Sequence, residues 1–206
     1  MDVDSTLAAT EGIDLLAGIA GVGEQVAAIT ERAMQGELDF AASLRERVGL
    51  LAGLSAAAIG QANAAVRLNP GAQRLVDGLR ERGWEVGLVS GGFTAMVEPL
   101  AAGLGIELVQ ANILEVAGGQ LTGRLTGSIV DRAGNAAALR RWAAELAAST
   151  TVAMGDGAND LDMMAAADLS IAFHAKPAVQ AKASAAIVHG PLDQALEIID
   201  AEVGGP

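Results

Sequence analysis

After the turn "NPG" at residues 69–71, the chain alternates between helical and strand patterns as far as its C-terminus, and this rhythm narrows the possible folds more than any other feature. The helical stretch "GAQRLVDGLRERG" leads into "WEVGLVS", whose Val and Leu content suits a parallel strand buried on both faces. The pattern returns in "TAMVEPLAAGLG" followed by "IELVQANILEV", then "AGNAAALRRWAAELA" followed by "TTVAMGD", and "DLDMMAAAD" followed by "LSIAF". Between the second and third units "GGQLTGRLTGSIV" reads as a hairpin on a Gly-Gly turn, and "AAIVHG" with "LDQALEIIDAE" supplies a last short strand and helix. Such alternation specifies an α/β fold built on a doubly wound, Rossmann-like parallel sheet.

Residues 10–66 break the rhythm. They read as helix throughout, with Asp39 a candidate N-cap for "FAASLRERVGLLAG" and no strand pattern between. The expected organisation is a core of residues 1–9 and 67–206 with a helical domain inserted at 10–66. With aromatics at only 2% and no Tyr, that core has to be built from Ala, Leu, Val and Ile.

Charge and composition exclude several classes of function. Lys and Arg total 13 against 25 Asp and Glu, a net charge of −12, which argues against a nucleic-acid partner because backbone binding needs clustered cations. A small phosphorylated substrate stays open, since one local cation outweighs a diffuse negative field. The chain has no Cys, so it has neither disulfides nor thiolate chemistry. No apolar run is long enough to span a bilayer and the N-terminus lacks a basic leader, so the expected location is the cytoplasm, away from membranes. Nothing in the sequence speaks to oligomeric state.

In open α/β sheets, ligands gather at the carboxyl ends of the strands. Three polar stretches fall there: "DVDST", with Asp2 and Asp4; "SGGFT", with Ser90 and Gly91; and "GDGAND", with Asp156, Asn159 and Asp160. Each alone is more often a turn or a helix cap. Together they offer carboxylates, a hydroxyl and exposed amides, the set needed to hold a hard cation and a phosphate. Carboxylates and a backbone carbonyl, completed by water and a phosphate oxygen, would make the octahedral oxygen site that Mg²⁺ prefers. His174 and His189 share no ligand-like spacing and read as structural or exposed, and the Met pair in "DMM" reads as core filling.

With these residues in view, the chain resembles the haloacid dehalogenase superfamily, and within it the phosphoserine phosphatase branch. The resemblance rests on "DVDSTL" with Glu11 downstream, "MQGELDFAASLRERV", "LVSGGFT", "VAMGDGANDLDMM" and "IAFHAKP", and it covers nearly the whole chain. It implies Mg²⁺-dependent hydrolysis of O-phospho-L-serine to L-serine and phosphate, the last step of serine biosynthesis. Asp2 would be the nucleophile and Asp4 the acid and base. Asp2, the backbone carbonyl of Asp4, and Asp156 would hold the metal, with Asp160 supporting it. Ser90, Gly91 and Asn159 would bind phosphate. Glu11 would meet the substrate ammonium and Arg47 its carboxylate, while Met34 and Phe40 would form the apolar wall of a helical cap.

The chain departs from the family pattern in two places. Where the family carries a lysine after "IVD", this sequence has Asn135, which can donate a hydrogen bond but brings no charge. Losing a preorganised donor to developing charge costs about 2.7–4 kcal/mol, or about 10²–10³ in rate. A slow phosphatase is therefore expected, or one in which Arg132 or Lys176 partly fills the gap. In addition, the family's Asp-x-Asp pair ends a buried strand, whereas here Met1 directly precedes Asp2. About five strand residues represent roughly 7–15 kcal/mol of apolar burial, comparable to the whole stability of a domain. The corresponding expectation is a natural chain that starts upstream, or a form of low stability. Two alternatives remain: a related phosphatase or phosphotransferase acting on another small phosphate, and a binding-only homologue. Asn135 and the absent strand favour the latter; the retention of both Asp2 and Asp4 opposes it.

Overall fold

The computed structural model describes residues 1–204. Four helices come first: α1 (Gly12–Ala20), α2 (Gly23–Met34), α3 (Phe40–Gly49) and α4 (Ala57–Ala65). The long helical run of the sequence is thus divided at Gly21, whose left-handed φ of 71° caps α1. Asp39 caps α3 as expected, its carboxylate accepting from the Ala42 amide at 2.7 Å.

The alternating part follows as α5 (Ala72–Glu81), β1 (Gly87–Phe93), α6 (Thr94–Gly103), β2 (Leu108–Ala117), β3 (Gln120–Thr126), α7 (Arg132–Glu145), β4 (Val152–Gly155), α8 (Leu161–Ala166), β5 (Leu169–Phe173), α9 (Pro177–Gln180), β6 (Ala185–Ile187) and α10 (Gln194–Ile199). β2 and β3 form the expected hairpin, and both glycines of its turn have positive φ. β1 continues through Ser90, Gly91 and Gly92, so that stretch is strand, and α6 begins only at Thr94.

The strands form two three-stranded groups, ordered β1-β2-β3 and β4-β5-β6, parallel except for the hairpin. Among the described residues, only those at the N-terminus join them. The Met1 ammonium donates to the Gly87 carbonyl at 2.8 Å and the Val89 amide donates to Met1 at 3.0 Å, which is the parallel ladder pattern. On the other side the Asp2 amide donates to Met154 at 2.9 Å. Met1 and Asp2 therefore lie between β1 and β4, and Asp2 emerges at the carboxyl end of the joined sheet.

Burial follows the sequence pattern. Leu75, Leu88, Ile171 and Phe173 are fully buried between the sheet and helices α5, α6 and α10, while Trp142, Met163 and Met164 pack on the opposite face. Both Met residues of "DMM" are thus core, as expected of flexible, apolar gap-fillers. The helical block has its own apolar centre of Leu16, Val26, Leu44 and Leu51, continued by Phe93, Met96 and the hairpin residues Leu114 and Leu121. The hairpin also bonds the block through its backbone, with the Gly53 amide donating to Leu121 at 2.8 Å and the Ala56 amide to Gly119 at 2.9 Å. No helix of the described residues is long and apolar enough to cross a membrane.

Candidate active site

The site is assembled where the N-terminal segment, β1 and β4 end together. After Val3 the chain folds back on itself: the amides of Thr6 and Ala8 both donate to the Val3 carbonyl, and Ser5 takes a left-handed φ of 60°. This conformation is uncommon for a residue with a Cβ and typical of tight functional turns. The turn swings Asp4 out of the strand line, so Asp2 and Asp4 reach the same pocket from different angles.

That pocket has a volume of about 150 Å³. Asp2, Asp4 and Asp156 line one part of it, and Glu11, Phe40 and Arg47 come from the helical block. Gly91, Gly92 and Asn159 complete the wall at the strand ends.

Asp2, Asp156 and Asp160 each bring a carboxylate oxygen within 4.8 Å of the others. The donor set is all oxygen, with no imidazole or thiolate, which fits a hard cation such as Mg²⁺. Asp160 is oriented from both sides: the Gly157 amide donates to one oxygen at 3.1 Å and the Asn159 amide group to the other at 3.1 Å. Close approach explains Gly155, because a Cβ there would lie 2.5 Å from the Asp160 carboxyl. The hydroxyl of Thr6, which sequence reasoning passed over, donates to Asp156 at 3.2 Å. No motif marks it, since the turn alone brings it there.

The electrostatics describe a cluster short of positive charge. Burial, then the charges of Asp160, Asp4 and Asp156, push the Asp2 carboxyl well above the ordinary carboxylate range. Burial pushes Asp160 up to about 7 and raises Asp156 as well. Of the two cations considered from the sequence, Arg132 is engaged by Asp162 on the surface, whereas Lys176 is near enough to oppose the upward shift of Asp156.

Asp4 occupies a different environment. One oxygen accepts from the Gly12 amide at 2.9 Å and the other from the Ser90 hydroxyl at 2.9 Å. Burial still raises its pKa, and these two donors partly offset the shift. Gly92 makes this possible, since a Cβ there would stand 2.6 Å from Asp4 and 2.9 Å from the Ser90 oxygen.

The remaining residues singled out from the sequence fall into three groups. Gly91, Asn159, Glu11, Phe40 and Arg47 line the pocket. Phe40 lies so close over Gly91 that a Cβ on Gly91 would come within 2.7 Å of its ring. Burial raises the Glu11 carboxyl and lowers the Arg47 guanidinium, and each is held partly in its charged form by the other. Ser90 and Asn135 are buried behind the wall. The Ser90 hydroxyl is committed to Asp4 and accepts from the Gly92 amide at 2.8 Å, while the Asn135 amide group donates to Asp160 at 3.3 Å. The Asn135 carbonyl oxygen is buried without a hydrogen-bond partner among the described residues. Met34 is 63% exposed at the end of α2, outside the pocket. The two histidines serve the fold or the surface: His174 stacks on Phe173 and pairs with the Gly190 carbonyl, and His189 is exposed.

This fold and site define a class. A family model for haloacid dehalogenase-like hydrolases matches residues 1–165, and the chain belongs to that family. Within it, the chain is 52% identical to a phosphoserine phosphatase of Streptococcus thermophilus over 99% of this chain and 95% of that protein. It is also 52% identical to a phosphoserine phosphatase of Streptomyces coelicolor, over 97% of this chain but only 49% of the relative, so it spans about half of that protein's length. A solved structure described as a phospho-aspartyl intermediate analogue of phosphoserine phosphatase superposes with a TM-score of 0.90 at 39% identity, covering 96% of this chain and 95% of that one.

Proposed function

We propose that this chain is a phosphoserine phosphatase that hydrolyses O-phospho-L-serine through an aspartyl-phosphate on Asp2, in the cytoplasm, with residues 10–66 acting as a cap over the core. The observation that carries the reading is the meeting, in one small pocket, of two differently tuned carboxylates with an acid and a base from the helical block. A substrate carrying a phosphate, an ammonium and a carboxylate would find a partner for each group, and relatives bearing the phosphoserine phosphatase name match nearly the whole chain.

In the first step a carboxylate oxygen of Asp2 attacks phosphorus, and the bond from phosphorus to the serine oxygen breaks. Asp4 gives its proton to that leaving oxygen. Its raised pKa keeps the proton available, while the Ser90 hydroxyl and Gly12 amide accommodate the carboxylate left behind. In the second step Asp4 takes a proton from water, the water oxygen attacks phosphorus, and the bond to Asp2 breaks, releasing phosphate. Asp2, Asp156 and the Asp4 backbone carbonyl would hold Mg²⁺, with Asp160 behind them. When bound, the ion would supply the positive charge that keeps these carboxylates ionised and polarises the phosphoryl group. Arg47 would grip the substrate carboxylate by its planar fork and Glu11 the ammonium, while Phe40 would exclude water.

The uncharged Asn135 beside Asp160 favours a second reading, a homologue that binds phosphorylated ligands without turning them over. Phosphate release from O-phospho-L-serine, with and without Mg²⁺, separates the two. Release that depends on Mg²⁺ and disappears in Asp2→Asn is expected. Folded protein that binds the substrate and releases no phosphate would establish the second reading.

A further inference from the structure

The stretch "IAFHAKP" takes no part in the proton transfers of Asp2 and Asp4, yet its backbone is fixed more tightly than an ordinary exit from a strand requires. Gly155 pairs with Ala172 in the ladder between β4 and β5, so Phe173 ends β5 beside the loop that carries Asp156, at the carboxyl end of the sheet. His174 then takes a left-handed φ of 47°. A residue with a Cβ keeps that conformation only where its surroundings hold it. Here the His174 amide donates to Ile187 at 2.8 Å, and the ring donates to the Gly190 carbonyl at 2.9 Å and stacks on Phe173 with 3.9 Å between ring centres. Further on, the Gln180 side chain donates to the Ala175 carbonyl at 2.6 Å, and Pro177 opens α9 with the Val179 amide bonded back to the Lys176 carbonyl at 2.9 Å. Lys176 therefore stands on backbone anchored from both sides, with an exposed side chain.

Few cations are free to act on the pocket. Arg32, Arg74, Arg82, Arg124, Arg132 and Arg141 are held in ion pairs elsewhere. Arg67 and Arg80 donate to main-chain carbonyls. Arg47 reaches the pocket from the helical block. On the core side, the Lys176 ammonium has no ion-pair or hydrogen-bond partner among the described residues, and its charge reaches Asp156.

We propose that Lys176 is a positioning residue for phosphate: the strained turn at His174 presents its ammonium at the strand ends, where it draws in the phosphate of a ligand by charge. Arg47 acts from the helical block on the other end of the substrate. The assignment rests on the phosphate-binding part of the function proposed above and gives the lysine no proton transfer. In a chain of net charge −12, whose pocket gathers Asp2, Asp4 and Asp156, a phosphate is repelled both locally and at a distance, and one fixed cation at the rim opposes both. Because the side chain is exposed, its effect is modest and screened by salt.

Inorganic phosphate is titrated calorimetrically into the Mg²⁺-saturated full chain and into its Lys176→Met and Lys176→Arg variants, at about 20 mM and about 500 mM sodium chloride. Lys176→Met is expected to bind phosphate about 3–10-fold more weakly at low salt, with the loss shrinking below about twofold at high salt, while Lys176→Arg keeps its affinity. In parallel, KM for O-phospho-L-serine should rise in Lys176→Met by a similar factor and more than kcat falls, because a charge that acts on the phosphate before and during reaction alike is expressed as binding. Equal phosphate affinity in the wild type and Lys176→Met would overturn the proposal, as would the absence of phosphate binding by the wild type. A loss shared by Lys176→Arg, or indifferent to salt, would also overturn it by making position 176 a matter of shape. The expected pattern of phosphate binding in a chain that releases no phosphate from O-phospho-L-serine would sink the phosphatase reading and leave Lys176 in its role. Normal turnover with unaltered phosphate affinity in Lys176→Met would do the reverse.

Discussion

The side-chain amide of Asn135 donates to Asp160 at 3.3 Å, placing a neutral donor beside a carboxyl that burial pushes up to about 7. An ammonium in its place would supply the charge that the cluster of Asp2, Asp156 and Asp160 lacks. Asn135→Lys is therefore expected to raise the rate of phosphate release by about 10²–10³-fold, the range over which single donors to developing charge act. Steady-state kinetics on O-phospho-L-serine checks it. Unchanged turnover in a folded variant would mean that charge at position 135 does not limit the reaction.

The Ser90 hydroxyl bridges the Gly92 amide and Asp4, so it orients the proposed acid and stabilises its ionised form. Ser90→Ala should lower kcat by about 10²-fold, at the lower end of the cost of a preorganised donor, with a smaller change in KM. With that donor gone the Asp4 pKa rises further, so the alkaline limb of the pH–rate profile, where the acid loses its proton, should move to higher pH. A pH–rate profile of the variant tests both parts. A KM effect with an unmoved profile would assign Ser90 to ground-state phosphate binding instead.

Arg47 is partly buried in the pocket and balanced by Glu11, Asp14 and Asp4. A charge-assisted hydrogen bond to substrate contributes about 1.5–3 kcal/mol, so Arg47→Ala should reduce kcat/KM for O-phospho-L-serine by roughly 10–150-fold. Phosphoethanolamine lacks the carboxylate and should lose much less. Comparing both substrates in both proteins would show whether Arg47 reads the carboxylate. Equal losses would argue for a structural role.

The raised carboxyls of the acidic cluster make stability pH-dependent with a defined sign. Between the ordinary carboxylate value of 3.8 and about 7, folded Asp160 holds more proton than unfolded Asp160, and Asp2 and Asp156 are shifted in the same direction. Stability therefore falls as pH rises through this window when no divalent cation is present. In chelator, the melting temperature should be higher at pH 5 than at pH 8, and Mg²⁺ should raise it more at pH 8 than at pH 5. Thermal melts at both pH values, with and without the ion, provide the check. A Mg²⁺ effect that does not vary with pH would separate metal binding from these protons.

Much of the fold was legible because local patterns carry it. Helix and strand alternation, the Gly-Gly hairpin turn and the Asp39 cap all depend on neighbours within a few residues, where periodicity and capping chemistry act. The polar strand ends were equally legible, since carboxyl-end placement follows from strand order alone. The sequence also determined the inventory of the site: carboxylates, a hydroxyl and glycines, with no thiol among them.

Only the tertiary structure decided how that inventory is divided. Ser90 serves Asp4 and Asn135 lies behind Asp160, while Met34 stands outside the pocket, because each depends on contacts between segments far apart in the chain. The part taken by Met1 and Asp2 was likewise invisible locally. Two residues carry no periodicity, and their place as the sole join between two groups of strands among the described residues exists only once β1 and β4 have been brought to either side of them.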